Sequence, residues 1–198
     1  TTYGTTTGQS GRFANEILQE KGLSFAAYFS VKMPDTWTPT FDLSDSQKVC
    51  RINLNAEAEI DFAIRKIQSR SAGDYMRNKV PTILAKAFYG LEYDAMRKTS
   101  HFRVETSCIG CGLCARNCPV SAIEIRNKKP VWVKDRCVMC LSCLHHCPKF
   151  AIQYENRTKK HGQYTNPNVK GLSVSSRRRS AMESHSGCKQ AKLYGQSI

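Results

Sequence analysis

The chain has 198 residues, a length for one or two domains, and carries 30 Lys or Arg against 16 Asp or Glu, a net charge of +14. No apolar run approaches the length of a membrane span, and no secretory leader opens the sequence, so a membrane protein is not expected. The charge points to nucleic acid only until it is located. Residues 157–198 hold nine Lys or Arg and one acid, Glu183, which is +8 and leaves +6 of the total for residues 1–156. The excess is mainly a property of the tail, and nucleic acid is not an expected partner. A start at Thr1 without methionine is expected of a fragment or a processed product.

In chain order, residues 1–10 (TTYGTTTGQS) are small, hydroxyl-bearing and glycine-rich, and read as a loop leaving the end of a strand. Ser10 caps a predicted helix to about Glu20, with Phe13, Ala14, Ile17 and Leu18 at helical spacing. Residues 23–33 read as a buried strand closing at Pro34, and residues 34–43 as irregular. Ser44 and Gln47 form a capping box for a long helix whose face carries Ile52, Ala56, Ile60, Ala63, Ile64 and Ile67. Residues 69–79 read as a hinge. Pro81 starts a further helix with the stripe Ile83, Leu84, Ala87, Phe88, Leu91 and Ala95, taken as core packing with partner docking as the alternative. Phe102 and Val104 alternate as a short strand does, and residues 129–134 (KPVWVK) read as a second one. From 171 onward the serine, glycine, Lys and Arg content without period predicts disorder.

Eight of the ten cysteines lie between 108 and 148, in two runs of the form C-x2-C-x2-C-x3-C-P. Cys108, Cys111, Cys114 and Cys118 make the first, and Cys137, Cys140, Cys143 and Cys147 the second, 29 residues on (137 less 108). Ile109 and Val138, and Ile123 and Ile152, keep the same offset, which marks an internal duplication. Zinc is the first rival for these thiols, but it favours two separated pairs rather than three cysteines in seven residues. A disulfide framework suits a short secreted domain and fits the spacing worse. Cys50 reads as an apolar helix residue and Cys188 as a free thiol in the tail.

Residues 100–156 resemble the bacterial two-cluster ferredoxins on these runs. The resemblance implies a pseudo-twofold domain with two [4Fe–4S] clusters and crossed ligation. Cys108, Cys111, Cys114 and Cys147 hold one cluster, and Cys137, Cys140, Cys143 and Cys118 the other. Each oxidised cluster with four thiolates adds about −2, so the folded part is near neutral when loaded. His145, His146 and Lys149, near ligands of both clusters, are read as positive charge favouring the reduced form.

The stretch 1–170 further resembles the later part of a fusion family from anaerobic bacteria, in which a flavodoxin-like domain precedes a two-cluster ferredoxin. Thr2, Tyr3 and Gly4, the segment from Val31 through Pro34 to Asp35, and the run from Lys160 to Tyr164 carry it. It implies an α+β architecture: a partial flavodoxin-like α/β segment at 1–69, a linker with a helix at 70–99, the ferredoxin domain at 100–156 and a basic disordered tail at 157–198. It implies FMN for a longer parent. The phosphate loop after the first strand is missing, since the chain starts near what would be the fourth, and FMN is not expected on this chain. The function expected is electron transfer between redox partner proteins. The alternatives are a ferredoxin-type component of a flavin-linked oxidoreductase and a polyanion binder acting through the tail. No base, nucleophile and orienting group stand together, so an electron carrier or wiring domain is expected rather than an enzyme. A monomer in the reducing cytoplasm is expected, since iron needs free thiolates.

Overall fold

A computed structural model describes residues 1–168. The predicted disorder from 171 and the reading of Cys188 lie outside these residues. The chain divides into two compact units, one of Thr1–Asp35 with Gln47–Tyr93, the other of Thr36–Ser46 with the chain from Asp94 on. Among the described residues no helix is long and apolar enough to cross a membrane.

The first unit is parallel α/β. Strand β1 (Thr2–Tyr3) pairs with β3 (Val31–Lys32), and β2 (Ala27–Phe29) with β4 (Gly73–Tyr75), both in parallel. Parallel partners need crossovers, and helices α1 (Ser10–Gln19) and α2 (Ser46–Gln68) supply them. Helix α1 stops where Leu23 N donates to Leu18 O at 3.0 Å and Gly22 N to Gln19 O at 3.0 Å, the Schellman pattern. Residues 23–33 form two short strands rather than one, broken at Ser30, whose hydroxyl receives Arg77 N at 2.9 Å. Residues 69–79 are not simply a hinge, because β4 lies within them.

Helix α3 (Thr82–Met96) runs across the division at Tyr93. Its stripe is not core: Ile83 is 81% and Leu91 78% exposed, and Leu84 and Phe88 are exposed too. The periodicity was right for a helix, but periodicity cannot say whether anything packs on it.

In the second unit, β5 (Phe102–Val104) pairs antiparallel with β8 (Ile152–Tyr154), and β6 (Ile123–Arg126) with β7 (Lys129–Trp132). Asn127 and Lys128, at φ 49° and 59°, turn the β6–β7 hairpin as a tight primed turn requires. Short helices α4 (Leu113–Arg116) and α5 (Ser142–His145) repeat at the 29-residue offset (142 less 113). The core is Phe102, Ile123, Leu141, Leu144, Ile152 and Tyr154, with Leu144 fully enclosed. Trp132 stacks on Phe102 at 4.9 Å, and Trp37 meets Tyr154 edge-on at 5.3 Å.

Two segments beyond the strands complete this unit. Residues 36–46 run along it: Thr36 O accepts from His145 Nε2 at 2.9 Å, Thr38 O from His161 Nδ1 at 2.6 Å, and Leu43 N donates to His161 O at 2.9 Å. Residues 157–168 were expected in the disordered tail. Instead Thr158–His161 forms helix α6, and Thr158 is fully buried. Its hydroxyl accepts from Tyr154 N at 3.0 Å and donates to Gln153 Oε1 at 2.6 Å, so order does not end at 156.

Candidate metal centre

The two cysteine runs fold into loops with the same backbone. Gly110 and Gly112 take φ of 66° and 74°, and Met139 and Leu141, 29 positions later, take 44° and 52°. Left-handed backbone costs L residues about 1–2 kcal/mol each, so the second loop holds this shape against a strain that the first avoids with glycine. At Gly110 the need is doubled, since an added Cβ would lie 2.5 Å from Lys128 O. Ser121 and Phe150, at 48° and 49°, continue the match. Such alternation of handedness turns successive amides inward and makes a concavity suited to negative charge. Several amides already donate to sulfur: Met139 N to Cys137 Sγ at 3.3 Å, Ala122 N to Cys118 Sγ at 3.2 Å, and Ala151 N to Cys147 Sγ at 3.3 Å.

The loops enclose two cavities. Cys108, Cys111, Cys114 and Cys147 line the first, and Cys118, Cys137, Cys140 and Cys143 line the second. Each cavity thus gathers three thiols of one run and the last thiol of the other. The remaining walls are largely apolar, with Ile125, Pro130 and Ile152 at the first and Phe102, Ile123 and Trp132 at the second. Cys143 is buried, Cys111 and Cys140 reach solvent, and the other five are intermediate. Among the described residues no three His, Cys, Asp or Glu side chains stand close enough to hold a single metal ion. The thiols ring a space instead of meeting at a point.

Burial and mutual repulsion oppose charge on these sulfurs. Loss of water pushes the Cys114 thiol up to about 11, with Cys111 and Cys147 adding to the rise. Burial raises Cys143 further, helped by Cys140, Cys114 and Cys137, and it raises Cys137 next to Cys140 and Cys118. Alone, then, the site favours neutral thiols. A metal reverses that preference, because a coordinating thiol gives up its proton outright. Four thiols around each cavity, amides aimed at sulfur and apolar walls fit a polynuclear iron–sulfur group.

Of the basic residues read as flanking the ligands, His145 is not a surface charge. It is 3% exposed, and burial holds its pKa below the usual histidine range. Nε2 donates to Thr36 O while Nδ1 accepts from Tyr164 N at 3.1 Å, which fixes a neutral tautomer. His146 turns Nδ1 to Ser142 O at 3.0 Å, and Lys149 is exposed at the rim of the first cavity. Three supporting residues escaped the sequence reading. Arg116 Nη1 donates to Cys111 O at 3.0 Å, and Arg97 Nε to Cys137 O at 3.0 Å. Gln163 Nε2 donates to Leu144 O at 2.6 Å and Cys147 O at 3.0 Å, closing the open end of α5. Arg116 lies inside the first cysteine run and Gln163 in the run from Lys160 to Tyr164, whereas Arg97 lies in neither.

A family model described as a 4Fe-4S dicluster domain matches residues 107–151. Comparison with curated proteins and with solved structures gave no match. The matched residues hold both cysteine runs and both cavities, and this part of the chain is a 4Fe–4S ferredoxin-like domain.

Proposed function

We propose that the protein carries electrons between redox partners through two [4Fe–4S] clusters held by crossed ligation in a pseudo-twofold domain. The observation that carries this is the composition of the two cavities, three cysteines of one run with the last of the other. Cys108, Cys111, Cys114 and Cys147 would hold one cluster, and Cys118, Cys137, Cys140 and Cys143 the other. When bound, such clusters supply one-electron chemistry at a potential set by burial, net charge and hydrogen bonds to sulfur. The protein's share is to supply those conditions. Amides of Met139, Ala122 and Ala151 lower the cost of charge on sulfur, and Ile123, Trp132 and Phe102 keep water from the second cavity. Cys111 and Cys140 bring each cavity to the surface, where a partner can approach. Reduction of the anaerobically reconstituted protein, followed by visible and electron paramagnetic resonance spectra, tests this. Two interacting one-electron centres are expected; a chain that binds zinc and stays colourless overturns the reading.

A second reading has one observation of its own. The hydroxyl-rich loop after β1 stands at the carboxyl end of a parallel strand, where α/β folds place ligands. On that reading the first unit is part of a flavodoxin-like domain, in the fusion arrangement, and the clusters wire a flavin to an outside partner. FMN titration by fluorescence quenching tests whether this chain holds the flavin itself: submicromolar binding supports the flavin-linked component, and no binding leaves that reading to a longer parent alone.

A further inference from the structure

We infer that the face around Cys111 is where electrons are exchanged, and that it docks an acidic redox protein. This rests on the electron-transfer reading above. The duplication gives both cavities the same surface opening, an exposed cysteine with an exposed aliphatic beside it. Cys111 has Ile109 at 59% exposure, and Cys140 has Val138 at 42%. Charge breaks the equivalence.

Four exposed cations belong to the first cavity and the segments that form it. Lys149 lines the cavity, Arg116 is bonded to Cys111 O, and the backbone of Lys128 lies against Gly110. Lys129 precedes Pro130, which is part of the cavity wall. Among the described residues none of the four has a carboxylate partner. At the second cavity the position equivalent to Arg116 is the buried His145, and that equivalent to Lys149 is Val120. There Arg136 pairs with Asp94 at 3.0 Å and the exposed Asp135 stands next to Lys134 in sequence, while Lys134 and Arg97 donate to the carbonyls of Val120 and Cys137.

An apolar centre with a charged rim is the anatomy of a transient docking site. Charge at the rim acts chiefly on encounter rate and orientation. A loaded cluster with four thiolates brings about −2 to the site, which alone would repel an acidic partner. Four unpaired cations reverse that sign at the first opening and not at the second.

The test uses the reconstituted full chain, reduced and mixed in stopped flow with an acidic rubredoxin or a basic cytochrome c. Two variants remove the same net charge of two: Lys128→Gln/Lys129→Gln at the first opening and Lys134→Glu at the second. At low salt the double variant should reduce rubredoxin about 3–10-fold more slowly, an effect of steering. Lys134→Glu should change the rate less than about twofold, and the gap should close as salt shortens the Debye length to about 3 Å at 1 M. Cytochrome c should not be slowed. Equal slowing in both variants, or none in either, overturns the docking site. So does slowing with both acceptors in step with a shifted midpoint potential. A parent protein without iron overturns the electron-transfer reading itself, which metal analysis separates from a failed docking site.

Discussion

Thr158→Val probes whether the chain past 156 belongs to the cysteine-bearing unit. Valine matches threonine in shape, so no cavity opens at this fully buried site. The hydroxyl is lost, leaving Tyr154 N without its acceptor and Gln153 Oε1 without its donor. Each buried unpaired group costs about 1–3 kcal/mol. Two together come to about 3 kcal/mol once Gln153 relaxes, its amide remaining bonded to Phe150 O. With a urea slope of about 2 kcal/mol/M, the midpoint falls by about 1.5 M. Thr158→Ser keeps both bonds and removes one methyl, about 1 kcal/mol. The assay is anaerobic urea titration of the loaded protein, following cluster absorbance and backbone circular dichroism together. Truncation after Asn156 removes the same two bonds, together with those of Gln163 and His161, and should cost more than the valine variant. A valine variant with the parent midpoint, or a serine variant as damaged as the valine one, would show that α6 contributes nothing, and that order in this unit does end near 156.

Crossed ligation predicts that Cys118→Ala damages chiefly the cluster beside Cys137, Cys140 and Cys143, while Cys147→Ala damages the one beside Cys108; paramagnetic spectra that show each lesion on its own run would refute it. Gly110→Ala places Cβ against Lys128 O in a left-handed loop, and should lower iron retention at the first cavity by more than Gly112→Ala, whose added Cβ would meet the movable Arg116 side chain at 3.1 Å and Ile125 at an ordinary contact distance of 3.8 Å. In the metal-free chain the raised pKa of Cys114 means that the folded form prefers the neutral thiol. That contribution is complete below the ordinary thiol value of 9.0 and is lost as pH climbs through about 11, so the metal-free urea midpoint should fall across that window. Loaded protein, its thiols already deprotonated on metal, should show no such fall. An unchanged metal-free midpoint would contradict the burial of these sulfurs.

The parts of this structure legible in the sequence are those fixed by local spacing. The cysteine runs, α1, α2 and the strand at 129–132 follow from local spacing, and the 29-residue repeat from laying one run on the other. What escaped depends on distant partners. Nothing local says that Thr36 lies over His145, 109 residues away, and so turns an apparent surface charge into a buried neutral ring. Gln163 looks like any polar residue in a basic tail until α5 ends beside it with open carbonyls. The stripe on α3 failed for the opposite reason: its period is real, yet among the described residues none covers Ile83 or Leu91, which stay 81% and 78% exposed. Met139 and Leu141 gave no sign of their left-handed backbone, because there the loop imposes its geometry on residues that resist it.

Iron and acid-labile sulfide, counted per chain after anaerobic reconstitution with zinc measured in the same sample, test the central claim most directly. Two [4Fe–4S] groups require about eight iron and eight sulfide per chain, with brown absorption that bleaches on reduction and zinc well below one equivalent. Stoichiometric zinc with little iron, or about four iron unaffected by loss of either Cys118 or Cys147, would contradict it.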